Sequence, residues 1–222
     1  LKIKEETHVF FVNEIARIAL LTQGGQLKSA LTRIDYYKYA PEIKRSNALS
    51  GYLETVYGNV LFGMSKPVEA RVHYTIALEK LLETSDSVAI KGGLINLGNT
   101  YAILNIPDSA MIYYEKALEL ENIGIEAFHF SLQNNLAHIL SGNGDTEEGI
   151  VYYENLVFQD REGLAASEFT TASLNLGQSY NILGRHDEAV IVDAPSQQTK
   201  SSERLESSKC EGCVGHVDGG LR

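Results

Sequence analysis

The sequence predicts an all-α fold, an α-solenoid of about five helix-turn-helix repeats, and three series of residues carry that prediction. One small residue recurs at Ala30, Ala70, Ala110, Gly149 and Ala189, with steps of 40, 40, 39 and 40. A second series twelve residues earlier, Ile18, Gly58, Gly98, Ala137 and Gly177, keeps nearly the same step and is small at four of its five places. A third, Gly25, Ser65, Asn105, Gly144 and Gly184, consists of turn formers and falls between the first two.

Each unit reads as two amphipathic helices around that turn. The first, with Gly25 and Ala30, departs furthest from the others; its apolar stretch 8–22 is broken by Asn13, Glu14 and Arg17, so it is no membrane span. In the second unit Gly58 precedes the turn, and Ala70, Tyr74 and Ala77 follow it. The third has Leu94, Leu97, Tyr101 and Leu104 before the turn and Ala110, Tyr114, Ala117 and Leu118 after it, both at helical spacing. Pro67 and Pro107 share one repeat position, where a first helical turn tolerates a missing N–H. Gly24-Gly25 reads as a turn, Gly92-Gly93 as a helix start, and Gly144-Asp145 as the turn of the fourth unit. Gly98 is expected to face Ala110 across a close helix pair. The extra length of each unit falls between units, as in 119–129, and predicts lengthened helices there. In the fifth unit Ala189 is followed by Asp193 and Ser196, and Pro195 predicts a helix stop by about Ala194.

Residues 97–118, LGNTYAILNIPDSAMIYYEKAL, resemble the tetratricopeptide repeat in Leu97, Gly98, Tyr101, Ala110, Tyr114 and Ala117. The second unit repeats this with Gly58, Ala70, Tyr74 and Ala77, the fourth with Ala137, Gly149 and Tyr153, and the fifth with Leu176, Gly177, Tyr180, Gly184 and Ala189. The resemblance covers about 10–192 and implies a right-handed superhelix whose first helices line a concave face. It divides the chain into a repeat domain, 1–192, and a disordered or foreign tail, 193–222. The common unit has 34 residues against 40 here, which makes this a long variant.

Composition narrows the partner. A formal net charge of −10 sets the surface against nucleic-acid phosphate and anionic membrane, and favours a neutral or basic protein or peptide. No phosphate-cradling loop, dinucleotide fingerprint, nucleophile elbow or HExxH pair occurs, so no enzyme activity and no cofactor are expected. Cys210, Cys213 and His216 supply three zinc-ligand types where a closed site needs four, and no metal is assigned. With both cysteines in the tail the redox compartment stays open; localisation is left open, with the cytoplasm favoured. The first residue is Leu1, which is consistent with a removed leader or a piece of a longer protein.

The resemblance places Asn96, Asn135 and Asn175 at one inner-face position and Asn59, Asn99, His138 and Gln178 at another, with Tyr52 and Phe62 as aromatic anchors. A carboxamide ladder there offers donors and acceptors to a peptide backbone, or equally ties neighbouring helices together. Chaperone-binding members hold a carboxylate with Lys and Arg on this face. The matching positions here are Ile15, Thr55, Ile95, Asn134 and Leu174, and Val12, Tyr52, Gly92, Ser131 and Thr171, without a cation. Two functions follow: a protein- or peptide-binding scaffold, or the sensor segment of a larger signalling protein or transcription regulator. Leu174, Leu176, Tyr180 and Leu183 are expected to be only partly covered, an apolar end for homodimerisation or for a further repeat.

Overall fold

The computed structural model describes residues 2–120, 125–159, 165–190 and 192, with side chains for all of these except 2–4, 125–129 and 159. Among them there are helices and turns but no strand. The chain divides into two compact units, Leu1–Ile139 and Leu140–Arg222. The helices are α1 (Lys2–Gln23), α2 (Leu27–Tyr37), α3 (Pro41–Arg45), α4 (Asn47–Gly63), α5 (Pro67–Leu82), α6 (Ser87–Ile103), α7 (Pro107–Glu119), α8 (Ile125–Asn143), α9 (Thr146–Glu154) and α10 (Ala166–Ile182). A π-turn, Asn155–Gln159, extends α9, and residues 186–190 are helical again.

The repeated turn has one physical form. Gly25, Ser65, Asn105, Gly144 and Gly184 all have positive φ, between 57° and 101°. The next N–H reaches back five residues each time: Gln26 to Leu21, Lys66 to Leu61, Ile106 to Tyr101, Asp145 to Leu140 and Arg185 to Tyr180, at 2.8–3.0 Å. This is the Schellman closure, which satisfies carbonyls that the helix end would otherwise leave unpaired. Glycine adopts it freely and asparagine readily; Ser65 does so against its side chain's preference. Helix starts vary more. Pro41, Pro67 and Pro107 open α3, α5 and α7, whereas Ser46 accepts a hydrogen bond from the Leu49 N–H at 3.3 Å and Asp86 from Ala89 at 3.0 Å.

In the first unit α4 packs on α5, α5 on α6 and α6 on α7, while α1, α4 and α6 are neighbours in series. Phe11, Ile15, Ile18, Ala30, Ile34, Leu49, Leu53, Val56 and Val60 form one buried cluster, into which α3 inserts Ile43. That short helix is absent from the repeat pattern. Glu14, nearly buried, ties α1 to α2: its carboxylate accepts from Arg33 Nη1 at 2.8 Å and Tyr37 Oη at 2.9 Å, and Glu54 and His73, forty residues on, meet in the same way at 2.6 Å. Removing one partner would strand the others' charge or polarity in a half-dry site.

Several expectations change at this level. Ala110 is fully buried, but the nearest neighbour of Gly98 is the ring of Tyr114, one turn further on. A Cβ on Gly98 would lie 2.3 Å from Tyr114 Cε1, and one on Gly58 2.4 Å from Tyr74 Cε1. Gly92 and Gly93 lie inside α6, which starts earlier because Asp86 caps it. Leu118 is exposed, since it has turned past the face of Ala110, Tyr114 and Ala117. In the second unit Leu176 and Tyr180 are buried together with Ala189 and Val192, so only Leu174 and Leu183 of the expected end patch are exposed. Residues 121–124, the stop near Ala194, and the tail with Cys210, Cys213 and His216 lie outside the described residues.

Candidate functional site

Two adjoining hollows open on the side of the first unit where α1, α4 and α6 meet. The larger encloses about 420 Å³, with walls from Ile15, Val56, Val88 and Ala89 and polar edges at Tyr52, Asp86, Asn59 and Asn96. The smaller, about 300 Å³, is bounded by Phe62, Tyr74, Thr22, Gln23 and Asn99, and again by Asn59 and Asn96. Asn59 and Asn96 therefore stand at the junction of the two. Both hollows follow the axes of α4 and α6, so together they form one groove from Tyr52 and Asp86 to Phe62 and Asn99.

The carboxamides divide by what already holds them. Asn99 Oδ1 accepts from Tyr114 Oη at 2.6 Å and from Asn135 Nδ2 at 2.8 Å. Asn59 Oδ1 accepts from Tyr74 Oη at 2.8 Å. These bonds let tyrosine occupy an otherwise buried ring position without an unpaired hydroxyl. Burial pushes the Tyr114 phenol up to about 12 and raises that of Tyr74 as well, so both hydroxyls donate at neutral pH. The Asn99 oxygen is thus committed to the fold. Asn59 Nδ2 and the Asn96 side chain have no partner among the described residues, and both residues line the groove.

At the other end Tyr52 Oη donates to Asp86 Oδ2, while Asp86 Oδ1 caps α6. The hydrogen bond from Tyr52, then that from the Ala89 N–H, holds the Asp86 carboxyl below its usual range; the same contact, with burial, pushes the Tyr52 phenol up to about 12. Asp86 is the one charged residue lining either hollow among the described residues. Its N-cap position was legible in Thr84-Ser85-Asp86-Ser87, but a helix start placed at Gly92-Gly93 leaves it out of the site. Val88 was missed because pattern alone does not tell a groove wall from a core, and Ile15 was placed on this face only as a position without a cation.

Of the residues the sequence singles out, Tyr52, Asn59, Phe62, Asn96 and Asn99 come together in this groove. Asn135 joins it through Asn99, and His138 is exposed on α8. Asn175 and Gln178 lie on α10 in the second unit, half-buried and exposed respectively. Among the described residues no group of three or more His, Cys, Asp or Glu is placed to hold a metal ion, and no helix is long and apolar enough to cross a membrane.

Helix pairs closed by the same turn, with a tyrosine packed on a glycine of the preceding helix, define a helical-repeat protein. Two of its segments, 93–123 and 130–157, match the model of the tetratricopeptide repeat family. Solved structures agree in fold. BtubC (BKLC) from P. vanneervenii superposes with a TM-score of 0.72 at 16% identity, covering 99% of this chain and 92% of that one. A Podosopora anserina protein, described as a putative kinesin light chain with nearly identical TPR-like repeats, gives 0.68 at 15%, over 86% and 95%. YrrB, described as a TPR protein with an unusual peptide-binding site, gives 0.59 at 19%, over 94% and 96%. No curated protein matches the chain in sequence.

Proposed function

We propose that this chain is a non-catalytic scaffold that binds a protein or peptide segment in the groove of α1, α4 and α6. The observation that carries the reading is the pair of adjoining hollows whose common edge bears the unpartnered Asn96 carboxamide and the free Nδ2 of Asn59. An extended backbone alternates donors and acceptors, and carboxamides match both, while Phe62 and the Ile15–Val56–Val88 wall take apolar side chains. The peptide-binding site named for YrrB supports the same use of a similar fold. The partner is neutral or basic: the groove lining has one carboxylate and no cation among the described residues, and the chain carries a net −10. The repeat body is taken to extend to about residue 192.

Affinity capture with the full chain as bait tests the reading, alongside Asn96→Ala and Phe62→Ala. Neither change empties a fully buried core position. Partners that bind in the groove drop out with either variant. Retention of every captured protein by both would overturn the assignment.

A further inference from the structure

The groove differs at its two ends, and the difference specifies a side chain. At the Phe62 end the lining is aromatic and amide, with no carboxylate and no cation among the described residues. At the Tyr52 end the wall is aliphatic, from Ile15, Val56, Val88 and Ala89, and it closes on a single carboxylate. Asp86 spends one acceptor site of Oδ1 on Ala89 and one of Oδ2 on Tyr52. The Val88 N–H also acts on this carboxylate, so of its roughly four acceptor sites about one to two remain. It is half-buried and has no cationic partner: no Lys, Arg or His lies within ion-pair distance of it among the described residues, and none lines the hollow. Tyr52 and the backbone fix its orientation before any ligand arrives.

We infer that the Tyr52–Asp86 end of the groove is a subsite for a basic side chain, arginine or lysine, of the bound peptide. The inference rests on the peptide-scaffold reading above. A long aliphatic stem lies along the Ile15–Val56–Val88 wall and the cationic head reaches the remaining lone pairs of Asp86. The hollow's volume, about 420 Å³, accommodates such a side chain together with its stretch of backbone. Register follows from helix geometry. Asp86 and Asn96 are ten residues apart on α6, about 15 Å along the axis at 1.5 Å per residue. An extended peptide advances about 3.3 Å per residue, so the basic residue precedes or follows the amide-gripped residue by four to five positions. Lysine and arginine both meet the charge requirement; arginine's planar fork also matches two carboxylate oxygens.

The test uses the full chain and acetylated, amidated octapeptide libraries with one position fixed in turn as Arg, citrulline or Glu and the rest randomised. Citrulline keeps the shape of arginine without its charge. At one fixed position the Arg libraries should bind about ten- to a hundredfold tighter than citrulline, the range of a partly desolvated charge-assisted contact, and Glu libraries weakest. That preference should shrink with added salt. Asp86→Asn, which retains an N-cap side chain of equal quality, should bring Arg and citrulline libraries together while leaving the apolar preferences at other positions in place. A far-UV melt of the variant confirms that α6 is intact. Selective binding with equal Arg and citrulline affinities in the unmodified chain would overturn the basic subsite and leave the scaffold reading standing. The absence of binding by every library would overturn both.

Discussion

Gly98→Ala separates two effects of opposite sign. In an exposed helix interior this change stabilises by about 1 kcal/mol, because alanine restricts the unfolded backbone. Here the new methyl would sit 2.3 Å from Tyr114 Cε1 and 2.6 Å from Cδ1. Carbon atoms pack at roughly 3.5–4.0 Å, so the ring would have to retreat by about 1 Å or more. Tyr114 is fully buried, and its hydroxyl is held at 2.6 Å by Asn99, which Asn135 holds in turn. The overpacking cost therefore belongs near the top of the usual range, about 3 kcal/mol, and exceeds the propensity gain by about 2 kcal/mol. Urea denaturation followed by far-UV circular dichroism measures the net effect. Gly142→Ala is the comparison, since a methyl added there would meet no atom within 4 Å and the φ of Gly142 is not positive; it should stabilise by up to about 1 kcal/mol. In a Tyr114→Leu background the Gly98→Ala change should lose most of its cost. If Gly98→Ala stabilises the unmodified protein as Gly142→Ala does, the tyrosine-on-glycine account of the repeat is wrong.

Three further outcomes follow from the same contacts. Ser65→Gly should stabilise by about 1 kcal/mol in the same urea assay, because residue 65 has φ 59° and glycine takes that conformation without a Cβ clash; a loss of stability would refute the turn analysis. Ala110→Leu, at a fully buried site, should destabilise by about 1–3 kcal/mol, and an unchanged melting temperature would count against the helix pairing. Tyr52→Phe should shift acid unfolding to higher pH. Asp86 has a depressed folded pKa, so its contribution is present above the unfolded value near 3.9 and is lost as pH falls through the folded value; deleting the Tyr52 hydrogen bond raises that folded value and narrows the window. An acid limb identical to that of the unmodified chain would exclude the Tyr52–Asp86 contact as its cause.

The repeat itself was legible because it rests on local rules that each unit obeys separately. A left-handed residue every forty positions, a proline in a first helical turn and a 3-and-4 spacing of apolar residues are properties of short segments, and they locate most helices before any packing is known. Where two local signals competed, the reading failed. Gly92-Gly93 suggested a helix start, but the Asp86 cap and the burial of Gly93, Leu94, Ile95 and Leu97 carry α6 straight through the pair. The helix α3 left no periodic trace in five residues, and its reason for folding is Ile43 entering a core assembled from α1, α2 and α4.

The asparagines show the same boundary more sharply. Sequence periodicity put Asn59 and Asn99 in equivalent positions, and both do accept from the tyrosine fifteen residues on. It could not tell that the Asn99 oxygen would take a second bond from Asn135, thirty-six residues away, while the side chain of Asn96, one turn earlier, would remain without a partner among the described residues. By itself, then, the sequence determined the helix-pair repeat and its turns, because these depend on backbone preference and near neighbours, whereas the packing of tyrosine on glycine emerged only from the structure. Tertiary structure alone decided which polar groups are left over, where α1, α4 and α6 part to form a groove, and that one carboxylate stands at its end. Those outcomes depend on which side chains meet after the chain has closed distances that no local pattern encodes.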